Sequence, residues 1–366
     1  MGRSQVRKVV GTMSGTSMDG VDAALIETDG QTVTAFGRTA YRPYTALERD
    51  TLRAAMGKWQ GPEVEAAAQV VELAHAELLS DFPEAELIGF HGQTTFHDPA
   101  RGLTCQIGNG DILAETLERP VVWDFRSSDV ALGGQGAPLA PFFHWALARH
   151  VGATAPVAFL NLGGVGNVTL VDPSASAPEA PGACIAFDTG PANAKLDDYA
   201  RSHTNHAIDE GGALARAGNV HDNILSRLLA DPWFAKLPPK SLDRDAFATW
   251  GPAVEGLPPA DALATLAAAT SGAVALGLDL LDPPPARLIL CGGGRRNAAL
   301  HEMIAGLAPC PVTTAEDEGL DGDMIEAQAF AFLAVRVLIG LPTSAPGTTG
   351  VAAPVGGGRV SRPGRL

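Results

Sequence analysis

Apolar and polar positions change period repeatedly along this chain. Residues 6–10, with Val6, Val9 and Val10, read as a short strand that breaks into the Gly/Ser/Thr-rich stretch 11–20. Residues 21–27 and 32–40 follow as further strand-like runs, separated by Asp29-Gly30. An Asp-Gly pair between such runs predicts a hairpin. Over residues 62–79 the period becomes helical. Val64, Ala68, Val71, Ala74 and Leu78 share one face, with Glu63, Glu65, Glu72 and Glu77 on the others. Residues 87–90 predict a short strand ending at His91-Gly92-Gln93-Thr94. A helix over 111–117 precedes a strand over 121–125 that ends at Arg126.

The loop 132–141, with three glycines and two prolines, marks a domain boundary. Beyond it the opening pattern returns: strand 157–161, Gly-rich turn 162–167, strand 168–171. Two strand–turn–strand units well apart in one chain predict two domains of similar design. Residues 184–187 then read as a strand feeding Asp188, with a helix starting near Pro191. An Ala-rich helix over 263–281 stops at Asp282-Pro283-Pro284-Pro285. The strand 288–291 runs into Gly292-Gly293-Gly294, ahead of a helix from about Asn297, and a last helix covers 324–338.

Length and composition narrow the class. The 366 residues predict about two domains. Of them 46% are hydrophobic and 18% charged, which is ordinary for a globular protein. The net charge of −15, with no Lys/Arg block, argues against nucleic acid or an anionic membrane as main partner. Four cysteines without a CxxC pair predict reduced thiols rather than a disulfide framework. The start, broken at Gly11, does not read as a signal peptide. The uncharged stretch 262–278 reads as a buried helix rather than a membrane span. A soluble, cytoplasmic protein is expected.

Candidate chemistry sits in the turns. Residues 11–22, GTMSGTSMDGVD, combine glycines that let amides converge with the hydroxyls of Thr12, Ser14, Thr16 and Ser17. Asp19 and Asp22 add carboxylates suited to a hydrated Mg²⁺, so the loop fits a nucleotide–metal complex. The alternative is a plain polar hairpin. NLGGVGNVT at 161–169 offers Gly163, Gly164 and Asn167, and CGGGRRN at 291–297 offers Gly292, Gly293, Gly294 and Asn297 before a helix. Three such turns after strands favour a nucleotide cleft. Asp188, in FDTGPAN, is either a helix cap or a general base held at a strand end. Glu326, opening a helix, either complements the helix dipole or is a second acid near phosphates. His91, Gln93, Asp124 and Arg126 form a polar set suited to a hydroxylated, carboxylate-bearing ligand, with Arg126 as anion clamp. An internal Asp124–Arg126 salt bridge is the plainer reading of that pair.

Together GTMSGTSMDGVD, HGQT, DFRSSDVALGGQGAPLAP, NLGGVGNVT, FDTGPAN, CGGGRRN and the run 326–334 resemble the anhydro-N-acetylmuramic acid kinase family. That family belongs to the actin and hexokinase superfamily of ATPases. The matches run in order from Gly11 to about Gly340. The resemblance implies an α/β fold with two actin-like ATPase (ribonuclease H-like) lobes, each a mixed five-stranded sheet with helices, and a nucleotide cleft between them. The expected lobes are residues 1–130, with the tail 345–366 returning to them, and residues 131–344.

The resemblance also implies ring opening of 1,6-anhydro-N-acetylmuramic acid and phosphorylation of its 6-hydroxyl from ATP, giving N-acetylmuramate 6-phosphate in peptidoglycan recycling. Gly15, Thr16, Ser17, Met18, Asp19, Gly20, Val21 and Asp22 match the ATP-binding stretch, with Asp19 toward Mg²⁺. Asp188 matches the catalytic base and Glu326 a second acidic residue, while His91, Gln93, Asp124 and Arg126 lie on motifs facing the sugar. The partners implied are the amino sugar and ATP, and the resemblance leaves room for a homodimer. Competing readings on the same fold are a kinase for another sugar and a non-catalytic ATP switch.

Overall fold

The computed structural model describes residues 5–15, 17–242 and 245–364. Thr16, one of the expected loop residues, lies outside the described residues. The chain divides into two compact units. The first comprises Met1–Gly152, Ala175–Cys184 and Met324–Leu366; the second comprises Ala153–Ser174 and Ile185–Asp323. These bounds differ from a crossing at 130/131. The helix Pro141–His150 buries Phe142, Phe143 and Leu147, and Phe143 packs on Phe332 of the helix Ile325–Leu338 within the first unit.

The first unit is built on β1 (Arg7–Ser14), β2 (Gly20–Thr28), β3 (Val33–Pro43), β4 (Leu87–Asp98), β5 (Leu103–Ile107), β6 (Val121–Trp123) and, from the far end of the chain, Arg359–Ser361. β1, β2 and β3 form an antiparallel meander; β1, β4 and β6 are parallel neighbours. β5 pairs antiparallel with the second half of β4, and Arg359–Ser361 runs antiparallel beside β6. One face carries the helix Pro62–Ser80, whose Val64, Val71, Ala74 and Leu78 join Val10, Val21, Ile88 and Phe90 in one core. Each large aliphatic side chain so buried stabilises the fold by about 1.5–3 kcal/mol.

The helix Ile325–Leu338 lies against β1 and β4 through two glycines. A Cβ on Gly11 would stand 2.0 Å from the Ala327 carbonyl oxygen, and one on Gly89 would stand 2.2 Å from that of Phe330. Only residues without a side chain permit this approach.

The second unit has β7 (Val157–Leu162), β8 (Val165–Val171), β9 (Cys184–Pro191), β10 (Leu288–Cys291) and β11 (Val312–Thr314), in the order β11-β10-β7-β8-β9. β7 pairs antiparallel with β8 and parallel with β10, which pairs parallel with β11. Counted by appearance and without the additions at 103–107 and 359–361, both sheets have the order 3-2-1-4-5. That is the ribonuclease H-like arrangement, present twice. The helix Pro259–Leu278 forms the centre of the second core with Leu160, Val168 and Phe187. Among the described residues it is the one helix long and apolar enough to cross a membrane, and 78% of its most apolar window is buried.

Several element ends depart from the sequence pattern. β1 continues past Val10 to Ser14, so the first four residues of the Gly-rich stretch are strand. β4 does not stop at Phe90 but continues to Asp98, absorbing HGQT through an irregularity beside Thr12 and Ser14. β6 ends at Trp123, because Asp124 takes a left-handed backbone (φ 57°). β9 runs through Pro191, so Asp188 lies within the strand rather than at its end.

Candidate active site

Asp188 is gripped from two sides within the second unit. Its backbone N–H donates to the Lys240 carbonyl at 3.0 Å. Oδ1 accepts from Asn167 Nδ2 at 2.9 Å, and Oδ2 accepts from the Leu242 N–H at 2.7 Å. These two bonds orient the carboxylate. The helix-cap reading fails. The next helix, Asn193–His203, starts beyond Pro191 with Ala192 at its cap position. Its first amides are satisfied by the Gly-rich turn: Ala192 and Ala194 donate to the Gly164 carbonyl at 3.0 and 3.3 Å, and Asn193 to that of Gly163 at 2.9 Å. Gly163 and Gly164 therefore cap a helix with their carbonyls, and Asn167 orients Asp188.

The third Gly-rich turn is closely packed. A Cβ on Gly292 (φ 71°) would meet Asn161 Oδ1 at 2.1 Å, and one on Gly294 would meet Leu162 Cβ at 2.7 Å. Gly293 has open space around its Cβ position. Asn297 Oδ1 caps the helix Ala298–Leu307, accepting from Leu300 N–H at 3.1 Å. The buried Arg295 ties this turn to Glu316 at 2.7 Å and Asp323 at 2.8 Å.

In the first unit, residues 15–19 connect β1 to β2, with Ser17 and Asp19 exposed and Gly15 and Met18 half-buried. Met18 takes φ 57° and its N–H donates to the Gly15 carbonyl at 3.1 Å. Gly20 is required where β2 begins, since a Cβ there would meet the Arg42 carbonyl at 2.5 Å. Val21 points into the core and offers the loop only its backbone. Asp22 is half-buried on β2, opposite Met13. Two expected hydroxyl donors are spent inside the protein. Thr12 donates to the Gly89 carbonyl at 3.4 Å, and Ser14 Oγ donates to Gln93 Oε1 at 2.6 Å. With its single hydrogen used, Ser14 accepts from the Tyr44 hydroxyl at 3.1 Å. Gln93, fully buried, thus braces the loop from below. Burial pushes the Tyr44 phenol up to about 12, keeping it a donor.

Arg126 and His91 form one assembly. Arg126 Nε–H donates to His91 Nε2 at 3.0 Å, and Nη1 donates to the Gly136 carbonyl at 2.7 Å. No hydrogen bond to a described residue engages Nη2. Burial draws the guanidinium down to about 10, opposed by the charges of Glu326 and Asp129. The protein packed around the Glu326 carboxyl desolvates it and raises it above its ordinary range, although the side chain is exposed, with the Arg126 cation pulling the other way. Glu326 keeps accessible surface at the second position of its helix. Asp124 does not pair with Arg126: Ser127 Oγ donates to its Oδ1, and Arg359 Nε approaches Oδ2 at 3.2 Å.

Three residues that the sequence pattern did not single out support these groups. Asp129, buried, accepts from Gly136 N–H at 2.7 Å, Ser344 at 2.5 Å and Thr349 at 2.6 Å, which holds the carbonyl that Arg126 uses. Its signal was an acid three residues after Arg126 and just before a Gly-rich loop. Tyr44 and Lys240 carried no local signal; each acts through contacts distant in sequence.

A family model described as anhydro-N-acetylmuramic acid kinase matches residues 7–361. A protein of Ruegeria sp. (strain TM1040) named anhydro-N-acetylmuramic acid kinase is 56% identical over 97% of this chain and 95% of its own length. One from Cereibacter sphaeroides with the same name is 59% identical over 97% and 96%. Among solved structures, xylulose kinase from Rhodospirillum rubrum aligns over 98% of this chain and 94% of its own, with a TM-score of 0.45 and 14% identity. With the match spanning both sheets and nearly all of the chain, this protein belongs to the anhydro-N-acetylmuramic acid kinase family.

Proposed function

We propose that this chain opens the 1,6-anhydro ring of 1,6-anhydro-N-acetylmuramic acid with water and transfers the γ-phosphoryl group of ATP to the freed 6-oxygen. The product is N-acetylmuramate 6-phosphate, which suits recycling of cell-wall peptidoglycan. The observation that carries the reading is Asp188, a carboxylate held in place on β9 by Asn167 Nδ2 on one oxygen and the Leu242 N–H on the other. A carboxylate so fixed can take a proton from water as the water attacks the anomeric carbon. The bond from that carbon to the 6-oxygen breaks, and the oxygen attacks the γ-phosphorus with ADP leaving.

The loop 15–20 supports nucleotide binding through its amides and Ser17, since phosphoryl transfer depends mainly on positioning and charge neutralisation. Asp19, exposed on that loop, and Asp22 on β2 would hold Mg²⁺. Among the described residues no three His, Cys, Asp or Glu side chains cluster as a cage. That fits an ion bound through one or two carboxylates plus phosphate oxygens and waters. When bound, Mg²⁺ neutralises phosphate charge. Arg126, held by His91 and Gly136, presents Nη2 to the lactyl carboxylate of the sugar, and Glu326 is a second acid toward the sugar.

The test is an ATP-dependent assay on the anhydro sugar in ¹⁸O-water with mass analysis of product. Heavy oxygen is expected at the anomeric hydroxyl, read promptly before solvent exchange, with none in the ester bridge and one ATP consumed per ring opened. Label in the bridge, or ring opening without nucleotide, sinks the coupled mechanism. Faster turnover of an open-ring sugar sinks the substrate assignment.

A further inference from the structure

Lys240 is a buried ionisable group that the reaction above does not use. Its ammonium lies 4.4 Å from the centre of the Trp233 ring and 5.6 Å from that of Phe187, and it donates to the Phe234 carbonyl at 3.0 Å. The residue is only 9% exposed. A lysine is rarely buried so far without a carboxylate bonded to it, because desolvation of an ammonium is costly. Cation–π contact with two rings and one carbonyl offsets part of that cost. Burial lowers the Lys240 ammonium, while the charge of Asp188 acts in the opposite direction.

What the burial achieves is visible on the backbone. The Lys240 carbonyl accepts the Asp188 N–H at 3.0 Å, and two residues on, the Leu242 N–H holds Asp188 Oδ2 at 2.7 Å. The same short segment therefore fixes both the main chain and the carboxylate of residue 188. Its own place is set by the Lys240 side chain, which is seated partly on Phe187, the neighbour of Asp188 in β9. We infer that Lys240 is a positioning residue for Asp188: its ammonium, locked in an aromatic box, clamps the segment whose backbone aims the carboxylate. This rests on Asp188 being the base of the proposed reaction.

The test compares full-length Lys240→Met, Lys240→Arg and Trp233→Leu with the parent enzyme, together with Asp188→Asn. Measured are kcat and KM for both substrates, per folded molecule, and Tm. Lys240→Met keeps the aliphatic stem and removes the charge. A fall in kcat of tenfold or more is expected, with both KM values within twofold and partial rescue in Lys240→Arg. Should Lys240→Met not fold, Trp233→Leu carries the test, with a fall of threefold or more expected. Smaller changes in kcat, or effects confined to KM or Tm, overturn the assignment. Asp188→Asn separates the two failures. If that variant keeps its turnover, the proposed chemistry itself is wrong; if it is inactive while the Lys240 and Trp233 variants are normal, only the role of Lys240 falls.

Discussion

Arg126 Nε–H donates to His91 Nε2 at 3.0 Å, and this one bond decides the state of the histidine. A guanidinium can only donate, so Nε2 must be the bare nitrogen and the hydrogen sits on Nδ1, where it reaches the Gly92 carbonyl at 2.9 Å. Burial and the Arg126 cation hold His91 well below the ordinary histidine range. The imidazole is thus a neutral bracket, with neither nitrogen left for a ligand.

His91→Phe is expected to raise the KM for the anhydro sugar about tenfold or more, since it removes an acceptor from a charged donor. The ring contact with Phe330, at 4.5 Å between centroids, can be kept. The KM for ATP should stay unchanged. The parent enzyme should also show no titration near pH 6.5 in kcat/KM for the sugar that disappears in this variant; such a step would return His91 to the role of a direct proton carrier.

Arg126→Lys is expected to raise the same KM about tenfold, because a lysine cannot satisfy His91 and the Gly136 carbonyl while also presenting a further donor. An analogue lacking the lactyl carboxylate provides the check. Equal loss with that analogue in parent and variant would remove Arg126 from carboxylate binding.

For Asp188→Asn, turnover should fall by about a thousandfold, within the usual range for removal of a general base. ATP affinity, measured by titration calorimetry, should change little. Near-normal turnover would leave Asp188 as a structural residue of β9.

Stability should fall on acidification for a specific reason. His75 is fully buried, with Nδ1 on the Val71 carbonyl at 2.7 Å, and burial holds it down to about 4. His144 is held down to about 3 by burial. Below the ordinary value of about 6.5 the unfolded chain binds protons that the native chain refuses, so stability present at neutral pH is lost as pH falls. Each histidine adds a slope of about 1.4 kcal/mol per pH unit between its two values. Urea melts from pH 7.5 to 4.5 test this, and His75→Gln should flatten the profile. An unchanged slope would mean that His75 does not contribute.

The repeated strand–turn–strand design was legible because hydrophobic runs and Gly-rich breaks are local. The end of β9 was not. The pattern stops the strand at residue 187 with a helix starting near Pro191, yet β9 runs on through Pro191, packed so closely that a Cβ on Gly190 would stand 2.9 Å from Ala273 Cβ and 3.1 Å from the Phe234 ring. That packing is invisible in the local sequence. Likewise the Asp124–Arg126 pair looked like a salt bridge by spacing, whereas Asp124 finds Arg359, far along the chain. Gln93 sits in a motif that reads as ligand-facing, and the extension of β4 turns it inward to Ser14. Residue types survived translation into structure better than residue partners did.

The missing side chain at Gly11 sets a length gauge for the whole first unit. With the Ala327 carbonyl already 2.0 Å from where a Cβ would stand, the helix Ile325–Leu338 has no slack toward the sheet. The reach of residue 326 is therefore fixed by its own chain of methylenes. Glu326→Asp draws the carboxylate back by about 1.5 Å, one carbon–carbon bond, and the backbone cannot follow to make up the difference. Shortening that side chain should then cost as much activity as neutralising it with Glu326→Gln. Gly11→Ala should do similar harm from the other side by lifting the helix off its seat, although position 11 touches no ligand in this reading. A methyl group that is absent and a carboxylate that is present are two ends of one ruler.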